Sequence, residues 1–366
     1  VEEKENERMK TMATLLTPVI AGSPSFPSAT LKGGTLAKKS GDYFFYSNYP
    51  EQITAEHIAD SSKKVFLNSA NVSGDVHVYA WHQNMIEAQG YGALHITNRG
   101  STNLKIEVLN SGLTNNVFQD TSAWSTYFGS RKAESYFVDP GYSIQLFRQT
   151  VLHMKPYGYI AHLRITGGSA RLQDVFYTSF PDDPINQAQR TQAYEEDCFR
   201  GSCSGYIYDL TTPVITVNSS NIVDFICFGK KNDGSYVHNS FGNNDMADMN
   251  SGGPSNTGGK LSGCFGQILR FKMRIKNGYA SNSGEKSFKI SLCGRGGNTH
   301  MLVGLTTATH TFTDPQTVKT LSDITTHTFY DFIKTDPISP GTTSEVTFFT
   351  VVPAGSNGPY ALSAHY

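Results

Sequence analysis

The chain is short of charge. Only 17% of its 366 residues are Asp, Glu, Lys or Arg, against about a quarter in an ordinary globular domain. Its 30 basic and 31 acidic residues leave a net charge of −1. No whole-molecule field is available to hold nucleic acid or an anionic membrane, so neither is an expected partner. No apolar run approaches the ~18 residues needed to cross a bilayer, so no membrane span is expected. The first residues lack the basic-then-apolar order of a signal peptide, and the reading expects a processed terminus. The five cysteines contain no Cys-x-x-Cys pair, which disfavours a zinc ribbon or thioredoxin-type site. Gly-x-Ser-x-Gly, a Walker loop, Gly-x-Gly-x-x-Gly after a strand and His-Glu-x-x-His are also missing. No catalytic constellation can be assembled, and the expected class is non-enzymatic.

What the chain does have is alternation. Leu269, Phe271, Met273 and Ile275 alternate with Arg270, Lys272, Arg274 and Lys276, the period of a strand with one face in a core. Phe288, Ile290 and Leu292 repeat the pattern after a polar loop, which predicts the returning strand of an antiparallel hairpin. Similar short runs, punctuated by Gly, Pro, Asn and Ser, fill most of residues 40–366. The reading is all-β: two tandem β-sandwich-like domains, 40–180 and 198–366, joined by a polar linker at 181–197 that begins Pro-Asp-Asp-Pro. Residues 120–136, with Trp124, Tyr127 and Phe128, predict a short helix or structured loop packed over one end. Residues 1–39 read as an N-terminal arm. Met9, Met12, Ala13 and Leu16 at i, i+3, i+4 and i+7 predict an amphipathic helix over Val1–Thr17, and an extended segment with Val19 and Ile20 follows Pro18.

Three sets of residues are candidate sites. Asn243, Asn244, Asp245, Asp248 and Asn250 lie in a Gly-rich loop at 239–259 that could offer oxygen ligands to calcium, the candidate cofactor. The loop does not follow EF-hand spacing, and an ordinary Asx/Gly loop is the competing reading. Cys198 and Cys203 enclose four residues, short enough for a local disulfide in an oxidising compartment. In the predicted hairpin one register sets Cys264 opposite Cys293 and another separates them, so that bridge stays open. His77 and His82 differ by an odd number and face opposite sides of a strand, so they cannot share a metal.

Four stretches resemble a known family: Trp81-His82-Gln83-Asn84, Cys198-Phe199-Arg200-Gly201-Ser202, Gly263-Cys264-Phe265-Gly266 and Pro353-Ala354-Gly355-Ser356-Asn357-Gly358-Pro359. In this order they are similar to motifs of secreted Gram-positive proteins labelled copper amine oxidase-like. The resemblance covers roughly residues 40–366 and implies an extracellular β-protein. It implies no oxidase: Asn48-Tyr49 is followed by Pro50 where a quinone-forming tyrosine needs an acidic residue, and no His-x-His occurs. The expected function is a structural protein of the bacterial cell surface or extracellular matrix that self-assembles, as a homo-oligomer or fibre, through Met9, Met12, Leu16, Val19 and Ile20 of the arm. The alternative is a carbohydrate-binding cell-surface protein with a cell-wall or matrix glycan as partner.

Overall fold

A computed structural model of the chain describes residues 13–22, 31–33, 35–58, 64–178, 189–190, 200–222, 225–228, 265–294, 299–307, 309–312, 314–325, 328–356 and 360–366. The chain opens with β1 (Ala13–Gly22), β2 (Leu31–Gly33), β3 (Thr35–Ser40), β4 (Tyr43–Ser47) and β5 (Gln52–Ile53). Next come β6 (Lys64–Asn84), β7 (Gly90–Asn98), β8 (Leu104–Leu113), helix α1 (Thr121–Gly129), β9 (Glu134–Val138), β10 (Ser143–Val151), β11 (Pro156–Tyr177) and the short β12 (Gln189–Arg190). The remainder is β13 (Arg200–Ser204), β14 (Ile207–Val217), β15 (Phe225–Phe228), β16 (Ile268–Asn277), β17 (Lys289–Gly294), β18 (Thr299–Leu305), β19 (Lys319–Ile324), β20 (Phe329–Thr335), β21 (Thr343–Val351) and β22 (Tyr360–His365). The fold is all-β and sandwich-like, as the alternation predicts.

The first sandwich is one sheet folded on itself. Its spine is β6 and β11, of 21 and 22 residues, paired antiparallel from Tyr177↔Lys64 to Pro156↔Gln83. The register shifts between Ile165 and Ala170, where Gly167 sits at φ +91° and an added Cβ would meet the Asn103 carbonyl at 2.4 Å. Only glycine tolerates that corner. On one side of it β11 pairs with β8, and on the other with β7. The halves close over a core in which Ile106, Val108 and Leu163 meet Leu94, Ile96 and Leu172.

The second sandwich has two six-stranded sheets, β1-β20-β17-β22-β15-β2 and β19-β18-β21-β16-β14-β3. The apolar face of β16 is buried as predicted, with Phe271, Met273 and Ile275 fully inaccessible. The expected hairpin is not formed. β16 pairs with β14 and β21, whereas β17 lies in the opposite sheet between β20 and β22. Each strand carries one apolar row, and the two rows bury more by meeting across the sandwich in one core than they would side by side.

Residues 13–17 are strand rather than the end of a helix. Thr14, Thr17, Val19 and Ile20 are β-branched, and β20 offers an open edge that β1 fills from Ala13↔Thr335 to Gly22↔Phe329. Pairing with that edge outweighs a helical pattern too short to stand alone. β2 and β3 likewise add to β15 and β14, so the arm segments cap three sheet edges of the second sandwich. β13, although it follows the polar linker, pairs with β4 of the first sandwich. The helix predicted within 120–136 is α1. It wedges Trp124, Tyr127 and Phe128 between Tyr79 and Ile160 of the first sandwich and Leu302 and Phe349 of the second.

Candidate functional site

The arm is attached lightly. β1 forms the outer strand of its sheet, and Ala13 is its single fully buried side chain; Leu15 packs against the core edge and Leu16 is half-buried. Val19 and Ile20 are 51% and 66% exposed. A bulge between Leu15 and Val19 and another between Ile20 and Gly22 interrupt the ladder to β20. An outer strand with exposed apolar residues is a pairing template for another chain. Met9 and Met12, the remaining arm residues singled out in the sequence, lie outside the described residues.

Asn243, Asn244, Asp245, Asp248 and Asn250 also lie outside the described residues, as do Cys198 and Cys264. Neither disulfide pairing therefore falls within them. Cys293 is buried on β17, its Sγ 3.2 Å from the carbonyl oxygen of Gly294 and 3.5 Å from that of Thr325. Among the described residues no group of three or more His, Cys, Asp or Glu side chains is placed to hold a metal.

One constellation invites a catalytic reading and does not carry it. His82 Nε2 lies 3.1 Å from Ser47 Oγ and 2.7 Å from Asp174 Oδ2, while Nδ1 donates to the Pro50 carbonyl at 2.6 Å. In a serine triad the hydroxyl and the carboxylate occupy opposite ring nitrogens; here both crowd Nε2. All three side chains are fully buried, and Asp174 also accepts from Tyr159 at 2.8 Å and Tyr157 at 3.4 Å. The cluster locks β4, β6 and β11 together. Its signal in the sequence is an acid on the inward row of the strand Leu172-Gln173-Asp174-Val175-Phe176, in step with Leu172 and Phe176, where a carboxylate is buried only with partners.

A second polar network joins the sandwiches. His77, stacked on Phe44 and Tyr206, donates from Nε2 to the Gly266 carbonyl at 3.0 Å and lies 3.2 Å from the Tyr127 hydroxyl through Nδ1. Tyr79 donates to Asp120 at 2.8 Å, and the Ala354 amide donates to the Tyr79 hydroxyl at 2.7 Å and to Asp120 at 3.0 Å. Burial pushes the Asp120 carboxyl up to about 7, its hydrogen bonds offsetting part of that rise. Burial, helped by nearby His162, lowers His77 to about 3. His77 and His82 face opposite sides, as their spacing requires, and both are buried in the core. The residues that carry the family resemblance thus do structural work: His82 and Arg200 inside the first sandwich, Gly266 and Ala354 between the two. Arg200 donates to the Leu67 carbonyl at 2.6 Å and stacks over Tyr49.

No family model matches the chain, and no curated protein matches it. Among solved structures, the PBSX exported protein XepA is 8% identical with a TM-score of 0.15, over 82% of this chain and 86% of that one. The tandem CBM22-1–CBM22-2 domains of Paenibacillus barcinonensis Xyn10C are 9% identical with a TM-score of 0.16, over 93% and 92%. Likenesses at this level carry no argument about what this chain does.

Proposed function

We propose that this is a non-enzymatic structural protein of the bacterial cell surface or extracellular matrix, whose copies assemble by exchanging the N-terminal strand β1. The observation that supports the reading is the attachment of β1: an outer strand, twice bulged, with one fully buried side chain and with Val19 and Ile20 exposed. A strand held this way leaves its own β20 edge for that of a neighbour with nearly the same bonds on both sides, the condition for domain swapping. Passed head to tail without closure, the exchange builds a fibre; the secondary contacts of β2 and β3 keep the rest of the arm on its own sandwich.

The test is light scattering and negative-stain electron microscopy of the full chain beside a chain lacking residues 1–22. The full chain should form oligomers or fibres, and the shortened one should remain a monomer that takes up a synthetic 1–22 peptide. Assembly of the shortened chain to the same extent sinks the proposal.

A further inference from the structure

The sheet edges of this protein are not alike. The outer strands β1, β3, β10 and β19 each meet their neighbour through a register break, and such breaks turn an edge away from further pairing. β3 and β19 also carry lysines, and β1 carries Pro18. β9, Glu134-Ser135-Tyr136-Phe137-Val138, has no break, proline or basic residue. It pairs continuously from Leu104↔Val138 to Val108↔Glu134, and among the described residues β8 is the one strand it pairs with. Glu134, Ser135 and Phe137 are exposed. Phe137, at 71%, is the most exposed large apolar side chain among the described residues. An unbroken edge of this kind is a template for one more strand.

We infer that a second copy of this chain supplies that strand: two β9 edges pair antiparallel about a two-fold axis at Tyr136. The pairing takes its setting, the fibre, from the strand exchange proposed above, but its geometry does not depend on it. Opposite residues of an antiparallel pair share a face, so a symmetric pairing sets one residue against itself. Only with Tyr136 in that place do all five residues of one β9 meet all five of the other. The two edges then match. Tyr136 and Val138 turn to the core, which leaves Ser135 and Phe137 on the outward face. There Phe137 of each copy lies beside the small Ser135 of the other. Lys105 is the β8 partner of Phe137 and Glu107 that of Ser135, so each outward row ends in one charge of either sign. On the inward face Tyr136 meets Tyr136, an aromatic pair at the axis. Five residues a side fall well short of the about 20–30 of a stable interface, so free chains stay apart. In a fibre the copies repeat, and the same contact acts many times over. Because the contact is self-complementary it closes: each copy gains one lateral partner, and fibres join side by side.

The test has two readings, both on the full chain. Under mild oxidation Tyr136→Cys should bridge to its own copy, because opposite residues on paired strands bring their Cα atoms to about 4.5–5.5 Å, within disulfide range. Ser135→Cys lies two residues out of step with itself, beyond that range, and should bridge at least about tenfold more slowly. Peptide mapping separates a bridge between the two introduced cysteines from one to a native cysteine. This reading needs no fibre. In negative-stain electron microscopy, side-by-side pairs of wild-type fibres should give way to single fibres of unchanged length in Phe137→Lys, a change at an exposed position that should leave Tm unaltered. Equal bridging at 135 and 136 overturns the inference, as do Phe137→Lys fibres that pair as the wild type does. A bridge at 136 without any fibres supports the edge pairing and refutes strand exchange.

Discussion

Replacing Asp120 by Asn should make the chain more sensitive to acid, because Asp120 opposes the other buried groups. Burial lowers His77 to about 3 and His95 to about 4, and lowers His162 as well. Their unfolded value is 6.5, so below it the unfolded chain binds protons that the folded chain refuses, and stability is lost as pH falls. Between pH 7 and 4.5 each contributes a loss of about 2.4 kcal/mol, or about 7 kcal/mol for the three. Asp120 acts in the other sense: its folded value of about 7 exceeds the unfolded 3.8, so the folded chain holds a proton that the unfolded chain releases. That stability is fully present below pH 3.8 and disappears as pH rises through 7; from pH 7 down to 4.5 it returns about 3 kcal/mol. From these groups the wild-type chain should therefore lose about 4 kcal/mol between pH 7 and 4.5 and the Asn variant about 7 kcal/mol. An amide can still accept from the Ala354 amide and donate to the Tyr79 hydroxyl, so the interface stays bonded in the variant. Urea unfolding followed by tryptophan fluorescence at half-unit pH steps measures both slopes. Parallel slopes would refute the assignment of Asp120 as a buried, neutral acid.

Cysteines at Thr14 and Lys334, registered partners on the exposed face of β1 and β20, should lock the strand to its own chain; by loop-closure entropy a disulfide closing about 320 residues contributes up to about 5 kcal/mol. Light scattering should then show assembly only after reduction. Asp174→Leu strands the donors of His82, Tyr157 and Tyr159 in the core, which should cost about 3–5 kcal/mol and lower Tm by about 10 °C, read by near-ultraviolet circular dichroism. Gly266→Ala places a methyl 2.0 Å from the ring of Tyr79 at φ +71°; strain and overpacking should destabilise the junction by about 3 kcal/mol, measured by denaturant titration.

The fold class was legible because strand alternation is a local signal, and β16 shows it at its clearest: its apolar row is wholly buried. Its neighbour was not legible. Phe288, Ile290 and Leu292 announce a second strand with a buried face, yet the same pattern serves a hairpin partner or a strand in the facing sheet, and only the competition for β20 and β22 decides. The arm failed in a different way. Spacing at Met9, Met12, Ala13 and Leu16 is helical, while the force that settles residues 13–22 is an open sheet edge some three hundred positions away. Long-range edges leave no trace in a window of ten residues.

The junction between the sandwiches shows why the chemistry of the candidate sites was harder to read than the fold. Gly266 and Ala354 come from the stretches that carry the family resemblance, and both contribute main-chain atoms: a carbonyl to His77 and an amide to Asp120 and Tyr79. Main-chain partners do not appear as residue types, so His77 and Asp120 read in sequence as an isolated imidazole and an isolated acid. A buried group satisfied by the chain itself holds the fold together, as at Asp174.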